Sequence, residues 1–195
     1  MKKIITILTL VALHNIALAG PGFYSNVDVY LTNGTIVNGG VDFPIDIYQE
    51  SIIVHLSKHS KKTYKKDEIT KLVYKLAGTE MVVDKLKHSH APIYEKRDDE
   101  IFVQEFVKGK VTVYHGFNTG YKIKKRKSTL VNDTNLWFCK NESEKTLSLL
   151  YAETNSASTI ELFNNNAQKY FNSKEIIDYL SQSNFTKLVQ YLKSL

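Results

Sequence analysis

The chain predicts an α+β fold: mainly antiparallel β, as a bent sheet or small barrel, with a C-terminal helical segment of two to three short helices. Three observations carry this. Apolar and polar residues alternate over short runs from Val27 onward, the period of a half-buried strand. Turn residues such as Asn33-Gly34 and Lys108-Gly109-Lys110 separate those runs at hairpin spacing. Beyond residue 152 the apolar period lengthens to that of a helix.

Taken in order, residues 1–19 stand outside the fold. Lys2 and Lys3 form a positive start, Ile4 to Leu13 an apolar run, and Ala17-Leu18-Ala19 a small-residue cleavage site before Gly20. The apolar run is too short to span a bilayer, which needs about 20 residues. The expectation is an exported protein, periplasmic or secreted, cleaved after Ala19, with no transmembrane segment in the mature chain. Losing Lys2 and Lys3 lowers the formal charge from +6 to +4, a mildly basic balance that permits anionic partners without demanding them.

Residues 20–90 read as a barrel-like β segment. Val27, Val29 and Leu31 alternate with Asp28, Tyr30 and Thr32, and Asn33-Gly34 favours positive φ in a hairpin turn. Thr35 to Val37 start the return strand, which Asn38-Gly39-Gly40 should break or bulge. Val41 to Tyr48 continues it, with Pro44 at an edge or bend. Ser51 to Leu56, Lys61 to Tyr64 and Ile69 to Tyr74 complete a rhythm that resembles the small SH3-like or Sm-like barrels. Met81 to Leu86 suggests a short strand or helical turn, His88 to Pro92 a loop, and Glu95 to Glu100 a charged turn.

Residues 91–152 form a second β segment, possible within the same domain. Its strands are Ile101 to Phe106, Val111 to Tyr114, a basic strand from Tyr121 to Arg126, Leu136 to Lys140 and Thr146 to Tyr151, with a loop at Gly116 to Gly120. In residues 153–195, Ser158-Thr159-Ile160-Glu161 is a capping box. Leu162, Phe163, Ala167, Tyr170 and Phe171 follow at helical spacing, and apolar stripes mark two further helices from Ser173 and from Ser183 or Asn184. Cys139 is the single cysteine, so no internal disulfide staples the chain, and Leu136, Trp137 and Phe138 beside it suggest a packed thiol.

The hairpin FVQEFVKGKVTVYHGF, the strand YKIKKRKS and the ending FNNNAQKYFNSKEIIDYLSQSNFTKLVQYL resemble a group of uncharacterised exported bacterial proteins. These share a β-sheet body and a C-terminal F-x-x-x-A-x-x-Y-F helical tail. The resemblance covers about the last half of the mature chain. It implies an envelope or secreted location, and brings no activity and no catalytic residues.

No catalytic constellation stands out. The sequence holds no G-x-S-x-G, no H-E-x-x-H, no phosphate-binding glycine loop and no cysteine cluster. Asp98, Asp99 and Glu100 sit side by side, which suits a solvated turn better than two acids facing across a glycosidase cleft. No cofactor is expected. The most visible surface features are two basic clusters, Lys58, Lys61, Lys62, Lys65 and Lys66, and Lys122, Lys124, Lys125, Arg126 and Lys127. Within them Lys61, Lys62, Lys122, Lys124 and Arg126 are the candidate anion-binding residues. Export argues against nucleic acid as the partner, leaving a protein or an anionic glycan or lipid surface. Solvated lysines that protect sheet edges from aggregation are the competing account. The alternative function is a metal-binding protein or enzyme in which His55 and His59, four apart on a supposed strand, act with a carboxylate.

Overall fold

The alternation that begins at Val27 becomes β1 (Gly22–Leu31), whose Val27 and Val29 are fully buried. The computed structural model describes residues 22–88, 100–118, 121–124, 127–130, 134–152 and 157–194, without the side chains of 121–124, 127–130, 134–135 and 158. The expected leader at 1–19 and all but the last residue of the charged turn expected at 95–100 lie outside these residues, and Glu100 itself is the first residue of a strand. The chain divides into two units, residues up to 44 with 50–83, and 45–49 with 84–194. The division thus falls a few residues before the position near 90 that the sequence suggests, and the C-terminal helices belong to the second unit.

In the first unit β1 is followed by β2 (Ile36–Phe43), β3 (Ser51–Ser57), β4 (Ser60–Lys65), a one-turn 3-10 helix (Lys66–Glu68), β5 (Ile69–Leu76) and the start of β6 (Thr79–His88). The strand order is β6-β5-β1-β2-β3-β4, and β1 pairs antiparallel with both β2 and β5. Hairpin β1–β2 closes through a type I arrangement: the Gly34 N–H donates to the Leu31 carbonyl, and Gly34 alone in the loop takes positive φ (+84°).

The core of this unit is Val27, Val29, Val41, Phe43, Ile52, Val54, Tyr64, Leu72 and Tyr74. Tyr24, Phe43 and Tyr74 meet edge to face with centroids 5.5–6.0 Å apart, and the buried Tyr74 hydroxyl donates to the Asp42 carbonyl at 3.1 Å. Of the break or bulge expected at Asn38-Gly39-Gly40, the break does not occur and an irregularity in the β1–β2 pairing does. β2 runs on through these residues, and the register shift lies opposite, between Tyr24 and Val27 of β1. The glycines make room instead. A Cβ at Gly39 would lie 2.6 Å from Val54 Cγ1 and 2.8 Å from the His55 carbonyl oxygen, and one at Gly40 would overlap the Phe23 ring.

The second unit takes the end of β6, then β7 (Glu100–Val107), β8 (Val111–Asn118), β11 (Thr134–Asn141) and β12 (Thr146–Ala152). Neighbours in that order pair in the sheet, and β12 also pairs parallel with β6 at Thr146–Lys87 and Leu147–His88, which closes a five-stranded ring. β9 (Tyr121–Lys124) and β10 (Lys127–Leu130) form a separate two-stranded ribbon. β8 extends through Gly116, where the sequence suggested a loop, because it stays paired with β11 at Leu136–Gly116, and Ile47 occupies the space a side chain there would need. Ile47 is held by its N–H to the Phe117 carbonyl (2.8 Å) and by the Phe102 N–H to its own carbonyl (3.1 Å). It is fully buried among Val103, Tyr114, Leu136 and Phe138.

Three helices follow: α1 (Ala157–Phe171), α2 (Glu175–Ser181) and α3 (Phe185–Ser194). Phe163, Ala167 and Phe171, spaced four apart on α1, are all buried, and Ile176, Leu180 and Leu188 join Ala167 and Phe171 around Trp137 and Leu150. Phe106 meets the Trp137 ring edge to face at 4.9 Å, with Phe185 of α3 beside both. Cys139 is fully buried, and burial pushes its thiol far above the ordinary range, so it packs as an apolar residue. Among the described residues no helix is long and apolar enough to cross a membrane.

Candidate functional site

The first basic cluster becomes the β3–β4 hairpin. The two strands pair antiparallel with Ser51 opposite Lys65, Ile53 opposite Thr63 and His55 opposite Lys61. One face of the hairpin turns inward, with Ile52, Val54 and Tyr64 buried. The other carries Ile53, His55, Lys61, Thr63 and Lys65 into solvent. Lys58, Lys61, Lys62 and Lys65 are exposed, and none of them is in an ion pair among the described residues. The Lys62 ammonium instead sits 4.7 Å from the Tyr64 ring centroid. Lys66 leaves the cluster: it opens the 3-10 helix and is buried, its N–H donating to the Glu50 carbonyl at 2.8 Å.

Apolar surface lies beside these charges. Phe23 is 54% exposed and lies over Gly40, with the His55 ring meeting it edge to face at 5.3 Å. Ile53 and Leu56 are each 44% exposed. Phe23, Ile53, His55 and Lys61 therefore form a continuous mixed aromatic and basic face, of which the sequence singles out Lys61 for anion binding and His55 only as a metal ligand. Phe23 was missed because it precedes the alternating run, and its place over the hairpin depends on Gly40.

Of the other candidate residues, Lys122 and Lys124 lie on β9, opposite Thr129 and Lys127 of β10, whereas Arg126 lies outside the described residues. The described part of the expected basic strand is Tyr121–Lys124. The histidine pair separates. His55 is on β3, but the strand stops at Ser57 and His59 falls in the two-residue turn to β4, its N–H donating to Ser57 Oγ at 3.4 Å. The reversal removes the shared strand face on which the metal alternative relied. Among the described residues no three His, Cys, Asp or Glu side chains converge as metal ligands. His115 stacks on Trp137 at 4.4 Å. His88, which the sequence placed in a loop, ends β6 buried against Phe138.

The second unit holds one polar cluster that the sequence did not suggest. The Tyr170 hydroxyl on α1 donates to Glu144 Oε1 at 2.9 Å and lies 2.8 Å from Ser148 Oγ on β12. Lys169 Nζ reaches the same Glu144 oxygen at 3.0 Å and the Tyr170 oxygen at 2.9 Å. Glu144 Oε2 accepts the Asn141 N–H at 3.0 Å. Serine, tyrosine and lysine together invite a proton-transfer reading, but the electrostatics oppose it. Burial works to raise the Glu144 carboxyl, yet the hydrogen bonds from Asn141, Lys169 and Tyr170 hold it below its ordinary value. Bonds to Tyr170 and Glu144 hold Lys169 above its own, and burial raises Tyr170. Each group is locked in the charge state it already has at neutral pH, the reverse of what an acid or base catalyst needs. The cluster is a tether between the β11–β12 turn and α1. No family model, curated protein or solved structure matches the chain.

Proposed function

We propose that this is an exported, non-enzymatic protein that binds an anionic protein partner through the basic and aromatic face of its β3–β4 hairpin. The supporting observation is that Lys58, Lys61, Lys62 and Lys65 stand exposed on one hairpin with no carboxylate paired to any of them among the described residues, next to exposed Phe23, Ile53 and Leu56. Unpaired like charges repel one another, so an acidic partner gains by relieving that repulsion as well as by direct attraction. The apolar side chains add contact area that salt does not screen.

The test is a binding titration of residues 20–195 against polyglutamate at rising salt, with the Lys61→Glu plus Lys62→Glu variant in parallel. Affinity should fall as salt rises, and the variant should bind at least about fivefold more weakly at low salt. Binding that ignores both salt and charge reversal overturns the proposal.

A further inference from the structure

We propose that the open edge of β4 receives an extended acidic segment of the partner as an added β-strand. This rests on the reading of the hairpin as an anion-binding face and specifies how the partner is held. Among the described residues β4 is terminal in the sheet order, with β3 its one neighbour. The bond from the Lys66 N–H to the Glu50 carbonyl sets the phase of the ladder, because Glu50 and Lys66 continue the register of Ser51 opposite Lys65. Hydrogen-bonded pairs alternate with non-bonded ones, so Tyr64 and Lys62 direct their backbone groups at β3. Lys61, Thr63 and Lys65 direct theirs away from it.

The Lys65 N–H supplies an independent check on this phase. It points out of the sheet and donates to Glu68 Oε2 at 2.8 Å. That bond also ends the open edge, because a strand added there would find the donor already taken. Among the described residues the N–H and C=O groups of Lys61 and Thr63 remain for an incoming strand, whereas the Lys65 carbonyl caps the 3-10 helix. Such a strand would gain a main-chain ladder in the manner of peptides that extend a sheet edge.

The side chains along the edge name the occupant. Lys61, Thr63 and Lys65 lie on one face, alternating with Lys62 and Tyr64 on the other. A strand laid alongside would set one residue opposite Lys61, the next on that face opposite Thr63, and a third opposite Lys65. Opposite charges in directly facing positions stabilise a pair and like charges destabilise it. The edge therefore selects acid-x-x-x-acid in extended form, and the same rule turns away the matching edge of a second copy of this chain. Lysines that only blunt the edge against aggregation would show no such selection.

Three measurements separate these possibilities, using residues 20–195 and a fluorescent peptide containing Glu-Thr-Val-Thr-Glu. First, Thr63→Pro removes an outward N–H while leaving the pairing to β3 and all charges in place, since proline is tolerated at a strand edge. The variant should bind the peptide about tenfold more weakly, yet bind polyglutamate as the parent does. Second, on the parent protein, the peptide methylated at alternate backbone nitrogens should lose affinity to the same degree. Third, the Lys61 and Thr63 amides should gain hydrogen-exchange protection when the unmodified peptide binds. Equal affinity for the methylated and unmodified peptides, with no protection at these amides, overturns strand addition. If salt-sensitive polyglutamate binding survives in that case, the anion-binding reading stands alone. If polyglutamate binding is absent as well, both readings fall. Binding to heparin or anionic vesicles but not to the peptide also overturns the inference.

Discussion

Gly39 and Gly40 show how much a single missing Cβ can decide. Both are buried in mid-strand on β2, but their neighbours differ in kind. Gly39 faces the side chain of Val54 and the backbone of β3, which cannot retreat without pulling the hairpin off the sheet. Gly40 faces the tip of the exposed Phe23 ring, which can swing into solvent. Gly39→Ala should therefore lower stability by about 1–3 kcal/mol, the range of an overpacked core, and Gly40→Ala by less. Urea unfolding of the two variants measures this, and an equal loss at both positions would show that Phe23 is as firmly held as the β3 backbone. Gly40→Ala should also displace Phe23 from His55, and so weaken any partner that uses this face while sparing the fold. In the sequence the glycine pair suggests a break. Only the packing partners, drawn from β1 and β3, reveal it as a point of close approach.

At the level of elements, legibility follows how far each one depends on distant residues. A strand with one buried face, such as β1, announces itself by alternation. The stripe of Phe163, Ala167 and Phe171 likewise announces α1. β6 hides because burial on both sides blurs its period: Met81 and Val83 are buried on one face, while Leu86 and His88 on the other pack toward the core of the second unit. The Glu144, Ser148, Lys169 and Tyr170 tether was illegible for a different reason, since a turn, a strand and a helix each supply ordinary polar residues that meet only in the fold. Its role carries a pH signature. A carboxyl held below its unfolded value near 4.5 contributes stability above that pH, and the contribution is lost as pH falls through the lower folded value. The stability gap between the parent and Glu144→Gln should accordingly be full at pH 6 and shrink steadily below about pH 4.5. A gap that stays constant down to pH 2 in denaturant titrations would mean that the carboxylate charge does not contribute to the tether. Tyr170→Phe should loosen α1 at every pH up to the alkaline range, because the hydroxyl it removes is neutral throughout.

For the molecule as a whole, export and charge bear on the same reading. On the export reading, cleavage after Ala19 would fall two residues ahead of β1, so processing would leave every described strand intact. It would also remove two lysines and lower the charge to +4, leaving the hairpin lysines a larger share of the positive surface. Expressed in a bacterium with a general secretory pathway, the chain should be recovered from the periplasm or medium with an intact mass starting at Gly20. Ala19→Arg places a bulky cation where the peptidase takes a small residue, and should leave the uncleaved precursor at the membrane. Full-length chain recovered from the cytoplasm, uncleaved in the parent as in Ala19→Arg, would remove the export premise. The argument against nucleic acid would then lapse, because that argument rests on compartment alone. Exposed lysines on a strand beside an aromatic ring suit a phosphate backbone as well as a row of carboxylates.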